Sequence, residues 1–230
     1  MDIKANEGKQ LAITIDGVDY LRIPVKTHVV MREDNLAEVV DKYTKEYIQE
    51  GDIIFCSEKI VAITQGRSFH IDDIHPSWLA NFLVKFVYKS PYGIGLGSPY
   101  TMQLALEDVG LPRILLGCVC AAATKPFGIR GVFYKVCGPR AYAIDGPCDY
   151  TLPPYNKYAK MAPKNPHKVA RDMKEKLGHE FIVLDANDLN VDILGKSSKT
   201  LDDKFLKALF KDNPLGQSAQ QTPIALVRKA

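Results

Sequence analysis

Residues 181–188 read FIVLDAND, so that a continuous apolar run ends in the carboxylate of Asp185. A second segment, AYAIDGP at residues 141–147, has the same form and presents Asp145. Such runs predict strands buried in a sheet, and a buried strand seldom ends in a bare carboxylate that has no use. Carboxylates at strand ends are suited to hold a hard divalent cation and, through it, the phosphates of a nucleotide. The alternative is that each Asp caps the turn or helix that follows it.

The segments around these two predict an α+β protein, a mixed α/β fold with largely antiparallel sheets and flanking helices. Asp16-Gly17 lies between two apolar runs and predicts a hairpin turn. We predict one domain over residues 1–230, with a helical insert at residues 68–130. The predicted strands are 11–15, 21–25, 53–56, 60–64, 133–137, 142–144, a strand that ends at 185, and 222–228. The predicted helices are 35–49, 75–125 with an interruption at 90–99, 166–177 and 201–210.

The composition is that of a globular protein, with 46% hydrophobic and 25% charged residues. A net charge of +3 is too small to indicate nucleic acid as a partner. The five cysteines form no C-x-x-C pair, which argues against a zinc site and against a disulfide framework. We therefore expect reduced thiols, mostly in the core, and a cytoplasmic location. The apolar run at residues 114–123 is too short to span a membrane and predicts a buried helix.

Two phosphate-binding or metal-binding motifs are excluded by their spacing. Gly195-Lys196-Ser197 resembles the end of a Walker A loop, but Asn190 stands where the first glycine belongs. Residues 188–192 resemble the start of an EF-hand loop, but the sixth position is Ile193 rather than glycine.

Four segments, taken in order, resemble the γ-glutamyl ligase family of the deazaflavin coenzyme F-420. The first and most specific begins with DNLAE at residues 34–38, continues with GDIIFCSEKIV at residues 51–61 and ends with QGR at residues 65–67. The second is AIDG at residues 143–146 followed by LPP at residues 152–154, and the third is VLDAN at residues 183–187. The fourth is GQSAQQTPIALVR at residues 216–228. Residues 68–130 show little resemblance.

The resemblance implies a ligase that binds GTP (or ATP) and the divalent cation Mn²⁺ or Mg²⁺. Such an enzyme activates a substrate carboxylate as an acyl phosphate, which the amine of an amino acid then attacks. Asp145 and Asp185 would be the catalytic metal ligands, and Gln217 would fall at a second metal position. The resemblance also implies a homodimer, for which an apolar β-rich surface at residues 60–63 would be suitable. The implied nucleotide-binding residues are Pro24, Val25, Lys26, Thr27, Ser57, Glu58, Lys59, Gly216 and Ser218.

The chain departs from the family pattern at three places. The family follows its second Asp with Ser or Thr and then a Gly-Arg pair, whereas residues 186–189 here are ANDL. A nucleotide-contacting Asn corresponds to Cys148, and a lysine corresponds to Ala62. Asn187 or Asp188 would be the candidates to replace the missing hydroxyl.

These departures leave three hypotheses. The first is a divergent carboxylate–amine ligase. The second is a degenerate homologue that only binds a nucleotide or a small anionic ligand. The third is a metal-dependent phosphohydrolase, in which water takes the place of the amine.

Overall fold

The structure, a computed structural model, describes residues 3–87, 94–149, 151–188, 190–217 and 219–230. The chain divides into two compact units, of which the first comprises residues 1–65 and 163–230 and the second residues 66–162. Among the sequence-based expectations, Ser218 and part of the interruption at 90–99 lie outside the described residues. The single domain over residues 1–230 stays a prediction.

The first unit is a six-stranded sheet with helices on both faces. Its elements are β1 (Ala12–Ile15), β2 (Val18–Val25), α1 (Leu36–Thr44), β3 (Ile53–Ser57), α2 (Glu58–Thr64), α8 (Pro166–Leu177), β6 (Glu180–Ala186), β7 (Val191–Lys196), α9 (Asp203–Leu209) and β8 (Ile224–Lys229). The hairpin, the β3 strand, the strand with Asp185 and the helix 166–177 are confirmed. β7 is a strand that the sequence analysis did not predict.

The strand order in this sheet is β1-β2-β8-β3-β6-β7. β3 and β6 run parallel, and the other neighbouring strands are antiparallel. The predicted α+β class with a largely antiparallel sheet is therefore confirmed.

Burial on both faces explains why β3 and β6 read as continuous apolar runs. Phe55, Ile182 and Leu184 pack with α9 on one face of the sheet. The alternate residues Ile54 and Phe181 are also fully buried, on the face that carries α1, α2 and α8.

The strand predicted at residues 60–64 is wrong, because this segment belongs to the helix α2. Ser57 is the N-cap, and its Oγ accepts a hydrogen bond from the backbone N–H of Lys59 at 3.3 Å. Ile60, Val61, Ala62 and Ile63 are all buried. They therefore offer no apolar β-rich surface for a dimer, and the argument for a homodimer from these residues is lost.

The second unit is mainly helical. Its elements are β4 (Ser68–His70), α3 (Trp78–Leu83), α4 (Pro99–Val109), α5 (Leu111–Thr124), α6 (Val132–Cys137), α7 (Pro139–Tyr142) and β5 (Tyr158–Lys160). β4 and β5 pair as a short antiparallel ladder. The predicted helical character of residues 75–125 is confirmed within the part of this range that the structure describes.

Two predicted strands in this unit are wrong. Residues 133–137 lie in α6, which is bounded by Gly131 and Gly138, both with positive φ. α7 begins with Pro139 at its first position, where a missing N–H has no cost, and it covers Tyr142 of the strand predicted at 142–144. Asp145 consequently follows a short helix and forms an isolated bridge rather than ending a strand.

Helix α5 forms at the predicted place but is less buried than expected. Only Ile114 and Gly117 are buried along it, whereas Leu116 is 55% and Val119 66% exposed. The prediction of a buried helix is therefore wrong for most of its length. Among the described residues, no helix is both long and apolar enough to cross a bilayer.

Gln65 and Arg67 of the QGR motif each make hydrogen bonds within their own unit. The amide of Gln65 exchanges two hydrogen bonds with the backbone of Lys164, at 2.7 and 3.0 Å. The buried guanidinium of Arg67 binds the carbonyl of Ala162 and, at 2.6 Å, the carboxylate of Asp108. These contacts give two of the three residues of the QGR motif a structural role.

Candidate functional site

Most of the predicted site residues meet at one end of the sheet of the first unit. β2, β3 and β6 all end there, and β8 begins there, because the β3–β6 pair is parallel and β8 is antiparallel to β2 and β3. The backbone N–H of Ser57 donates to the carbonyl of Pro223 at 2.8 Å. In the parallel register Ser57 lies opposite Leu184, so that Asp185 follows immediately beside the end of β3.

The segment Pro24–Thr27 is held against the loop that precedes β8. Pro24 and Val25 are buried within β2 and pair with Ala225 and Ile224. The backbone of Thr27 makes two hydrogen bonds with Gln221, one to its carbonyl at 3.1 Å and one from its side-chain amide at 2.8 Å. Lys26 is exposed next to these contacts.

His28 and Asp34 hold the chain that follows Thr27. The His28 ring lies 3.0 Å from the Tyr43 hydroxyl through Nδ1 and 2.9 Å from Asp34 Oδ2 through Nε2. Burial acts to raise the pKa of Asp34, but hydrogen bonds from the Met31 N–H and from His28 outweigh it and hold this pKa below its usual value. The sequence analysis did not single out this cluster, because its three side chains are 6 to 15 residues apart along the chain.

The loop that contains Gly216 and Gln217 is also held firmly within this unit. The buried side chain of Asn213 donates to the carbonyl of Gly216 at 3.1 Å. Gly216 has a φ of +79°, and a Cβ at this position would lie only 2.6 Å from Cδ of Gln220. Thr222 donates to the carbonyl of Leu215 at 2.8 Å, and the side chain of Gln217 is exposed.

Ser57, Glu58 and Lys59 form the step from β3 into α2 at the same end of the sheet. Ser57 caps the helix, as described above. Glu58 is 2% exposed, which is unusual for a carboxylate. The side chain of Lys59 is exposed to solvent, where its ammonium is available to an anionic ligand.

Asp185 lies on β6 directly opposite Asp192 on β7. Directly opposed residues of an antiparallel pair lie on the same face of the sheet, and like charges there repel each other. Asp192 is bound by Lys207 at 3.1 Å and by the Asn190 amide at 2.9 Å. Asp185 is the member of this pair that the resemblance implies as a metal ligand.

Asn187 and Asp188, the candidates to replace the missing hydroxyl, both contribute to the turn between β6 and β7. The side-chain carbonyl of Asn187 accepts from the backbone N–H of Asn190 at 2.9 Å. Asp188 forms an ion pair with Lys9 at 2.8 Å. Both side chains thus have structural contacts in this turn.

Asp145, the other predicted metal ligand, belongs to the second unit. Its backbone and that of Lys160 exchange two hydrogen bonds, at 3.0 and 2.8 Å. The Nζ of Lys160 lies 3.4 Å from Oδ2 of Asp145 and donates to the carbonyl of Ala143 at 3.3 Å. No motif in the sequence points to Lys160, because its contact with Asp145 joins residues that are far apart in the chain.

Asp52 and Arg228, which belong to two of the quoted segments, form an ion pair that gives both residues a structural role. Arg228 Nη2 donates to Asp52 Oδ2 and to the carbonyl of Tyr47, both at 2.7 Å. The side chain of Asp52 is fully buried and also accepts from the N–H of Gln49 at 2.9 Å. This pair ties the turn before β3 to the end of β8.

The described residues fit a divalent cation differently at the two aspartates. They contain no group of three or more His, Cys, Asp or Glu side chains arranged to hold a metal ion. At the sheet end, Asp185 and amide or carbonyl oxygens are hard donors of the kind that Mg²⁺ and Mn²⁺ take, with phosphate oxygens as further ligands. At Asp145 the donor set does not fit, because the ammonium of Lys160 already lies against the carboxylate.

A cavity of about 440 Å³ opens in the first unit between α1, α2 and α8. It lies near Thr64 and Gln65, at the opposite end of α2 from Ser57, and no predicted site residue lines it. Among the described residues and apart from Asp145, the residues that the resemblance implies for nucleotide and metal lie at the sheet end rather than in this cavity.

The two buried cysteines have raised pKa values, which disfavours the reactive thiolate. Burial raises the pKa of the Cys56 thiol, and burial together with the neighbouring Cys118 raises that of Cys137 to about 11. All five cysteines are free, and Cys56 and Cys137 are the buried ones. The predicted reduced state agrees with these free thiols, but three of the five are only partly buried.

Comparison with known proteins gives a match to a family model over part of the chain. No curated protein matches the chain. A family model described as F420-0:Gamma-glutamyl ligase matches residues 24–121. The match includes Pro24–Thr27 and Ser57–Lys59, extends well into the range in which the motifs showed little resemblance, and ends before Asp145 and Asp185.

The activity that names this family supports a ligase that forms γ-glutamyl bonds and acts on small molecules. Over residues 24–121 the chain is similar to the F420-0:Gamma-glutamyl ligase family, and this match supports membership of that family.

Proposed function

We propose that this protein is a nucleotide- and divalent-metal-dependent ligase that joins a substrate carboxylate to the amine of an amino acid in a γ-glutamyl-type amide bond. GTP or ATP is the co-substrate, and Mn²⁺ or Mg²⁺ is the metal. The observation that carries the proposal is the meeting of Thr27, Ser57, Asp185 and the Gly216–Gln217 loop at one end of a single sheet.

The proposed reaction has two steps. The terminal phosphoryl group of the nucleotide passes to a carboxylate oxygen of the substrate, which gives an acyl phosphate and a nucleoside diphosphate. The amine then attacks the acyl carbon, so that a C–N bond forms while the C–O bond to phosphate breaks. Inorganic phosphate leaves, and the proton of the amine passes to solvent.

The residues of the sheet end are suited to bind and orient the nucleotide. Lys26 and Lys59 are exposed ammonium groups that can pair with phosphate oxygens as point charges. Gly216 allows backbone to approach the ligand closely at a φ that other residues rarely adopt. Asp185 and the exposed amide of Gln217 would hold the metal, which supplies charge neutralisation on the transferring phosphoryl group.

Hydrogen bonds within the first unit hold the proposed nucleotide-binding segments in place, which would help to position the substrates for reaction. Gln221 fixes the backbone of Thr27, and Asn213 fixes that of Gly216. Phosphoryl transfer depends mainly on positioning and electrostatic stabilisation, so a site built on such contacts is suitable.

The test is a thermal-shift titration with GTP, ATP and GDP, each with and without Mn²⁺. Nucleotide at about 100 times its Kd should stabilise the native state by about 2.7 kcal/mol, provided that it does not bind the unfolded chain. We expect a shift that requires metal and nucleotide together and that is lost in Asp185→Asn.

Asp188→Asn is the matched control, because it removes a carboxylate from the same turn that is paired with Lys9. This variant should keep the full nucleotide-dependent shift. Equal loss in both variants, or an undiminished shift in Asp185→Asn, would contradict the assignment of the site.

The second candidate is a homologue that has kept the binding site and lost the chemistry. It is favoured by Ala186 in place of a hydroxyl side chain and by the structural contacts of Asn187 and Asp188. Release of nucleoside diphosphate distinguishes the candidates. The ligase releases it in proportion to the amine that is coupled, a phosphohydrolase releases it without amine, and the binding protein shows a thermal shift without release.

The cytoplasmic location and the homodimer remain predictions. The free cysteines support a reducing compartment. Sedimentation of the purified protein would test the dimer.

A further inference from the structure

Lys160 is a buried charged residue of the second unit that the proposed function does not use. Its side chain is only 5% exposed, although lysine is among the residues least often buried. It lies at the end of β5, and its backbone is paired with that of Asp145 through two hydrogen bonds. The side chains of these two residues therefore start from neighbouring positions.

The ammonium of Lys160 lies near two oxygen atoms of the kind that a metal ion would take. It lies 3.4 Å from the Oδ2 of Asp145 and 3.3 Å from the carbonyl oxygen of Ala143. A buried charge requires such partners, because removal from water without them is strongly unfavourable. The side chain of Asp145 is 56% exposed, so that Lys160 is the buried member of the pair and Asp145 the exposed one.

The packing around Asp145 keeps this arrangement in place. Ile144 and Ala141 belong to the core cluster of the second unit. A Cβ added to Gly146 would lie 3.1 Å from the side chain of Ile94 and 3.2 Å from that of Thr101. The turn with Asp145 is thus fitted closely against its own unit, and Lys160 is fixed by the β4–β5 ladder.

A divalent cation on Asp145 would meet this ammonium at short range. Metal ligands lie within about 2.0 to 2.6 Å of such ions, so a cation on Oδ2 would be close to Nζ of Lys160 and would be repelled by it. We propose that the Lys160 ammonium is the resident cation of Asp145 and takes the place of a divalent metal ion there. The inference deepens the proposed function, since it leaves the metal only at the Asp185 end.

The test measures the binding of Mn²⁺ alone, from the electron paramagnetic resonance signal of the free ion. In the wild-type background, Asp145→Asn should leave Mn²⁺ binding unchanged. Lys160→Met removes the charge and keeps an unbranched side chain that is one atom shorter. It should add a Mn²⁺ site or raise the affinity at least about tenfold, because a positive charge close to the carboxylate is gone.

Two further variants serve as controls. Lys160→Arg keeps the positive charge and should behave like the wild type. The double variant Lys160→Met with Asp145→Asn should lose the Mn²⁺ binding that the single Lys160 variant gains. Circular dichroism and thermal unfolding confirm that each variant is folded, and Lys160→Gln replaces Lys160→Met if that variant does not fold.

Loss of Mn²⁺ binding in Asp145→Asn would overturn the inference, as would a folded Lys160→Met protein without any gain. The proposed function fails separately, through an absent nucleotide shift or an unaffected Asp185→Asn variant. A gain of Mn²⁺ binding in Lys160→Met would support the inference even if the proposed function failed. The two failures are therefore distinguishable.

Discussion

Two segments that look alike in sequence, around Asp185 and around Asp145, have different structures. Asp185 lies on β6 inside a six-stranded sheet, between β3 and β7. Asp145 follows the short helix α7 and has one isolated bridge, to Lys160. An apolar run before an aspartate is thus compatible with either structure. The neighbours decide between them, because Gly138 and Pro139 favour the start of a helix, whereas Gly178 ends α8 just before β6.

The largest losses of stability should follow the removal of one partner from a buried ion pair. Each of the two units contains such a pair. In the first unit, Asp52→Asn leaves Arg228 without its carboxylate partner, and in the second, Arg67→Met leaves the buried Asp108 without its guanidinium. Each should reduce the free energy of unfolding by about 3 to 5 kcal/mol, the usual cost of removing one partner of a buried pair. Urea denaturation measures the loss.

Arg228→Lys is the milder control, since it keeps the charge but not the two hydrogen bonds of Nη2. A loss below about 1 kcal/mol in both main variants would indicate that these pairs behave like exposed ones.

The next largest losses of stability should come from alanine substitutions at glycines, one near Asp185 and one near Asp145. A Cβ at Gly195 in β7 would lie 2.3 Å from the backbone of Pro166, which cannot move without shifting α8. The atoms nearest to a Cβ at Gly146 would be side-chain atoms of Ile94 and Thr101, at 3.1 to 3.2 Å. Gly195→Ala should cost about 3 kcal/mol and Gly146→Ala about 1 kcal/mol, both within the range for overpacked sites.

Thermal unfolding of the two variants gives the comparison directly. If Gly146→Ala proved the more destabilising, the packing around Asp145 would be more rigid than the side-chain contacts at Gly146 suggest. Alanine at Gly8, where nothing lies within 4 Å but φ is +72°, would separate backbone strain from overpacking.

Acidification should lower the stability of the first unit, because it protonates Asp212. Burial acts to raise the pKa of Asp212, but its hydrogen bonds and charge interaction with the buried Arg22 outweigh this and hold the pKa below its usual value. A carboxylate with a lowered folded pKa contributes stability above its unfolded pKa of about 3.9 and loses it as the pH falls through the folded value.

Asp212→Asn should therefore be less stable than the wild type at pH 7, and the difference should shrink at pH 3. Urea denaturation at both values measures this change. A difference that is the same at pH 7 and pH 3 would contradict a role for the charge of Asp212.

The smallest effects should come from helix caps in the two units. Asn35 accepts from the N–H groups of Ala37 and Glu38 at the start of α1, and Ser98 forms a capping box with Thr101 at the start of α4. Asn35→Ala and Ser98→Ala should each cost about 1 kcal/mol. Denaturation midpoints check both, and Asn35→Gly should cost only a few tenths of a kcal/mol. An equal loss in the glycine variant would point away from capping.

Local signals predicted a large part of the first unit. Asp16 and Gly17, both with positive φ, form the predicted hairpin turn, and Pro166 and Gly178 bound the predicted helix. Such turns and caps depend on residues that are adjacent in the chain, so that the sequence states them directly. The segments around Ser57 and Asp185 are also continuous in sequence, so their resemblance to the family could be read directly.

Residues 60–64 and 133–137 show where local preference misled. Both are rich in β-branched or aromatic residues, which favour strands, and both are helices. Burial of α2 against the sheet, and the glycines on either side of α6, outweigh that preference.

The sequence by itself determined the α+β class, the short-range turns and the residue types available for a site. Only the tertiary structure decided which of them meet, because pairing of strands far apart in the chain joins Thr27 to Gln221 and Ser57 to Pro223. It also decided that Lys160 lies buried beside Asp145, since the contact of their side chains depends on a bridge between residues that the sequence separates by a loop.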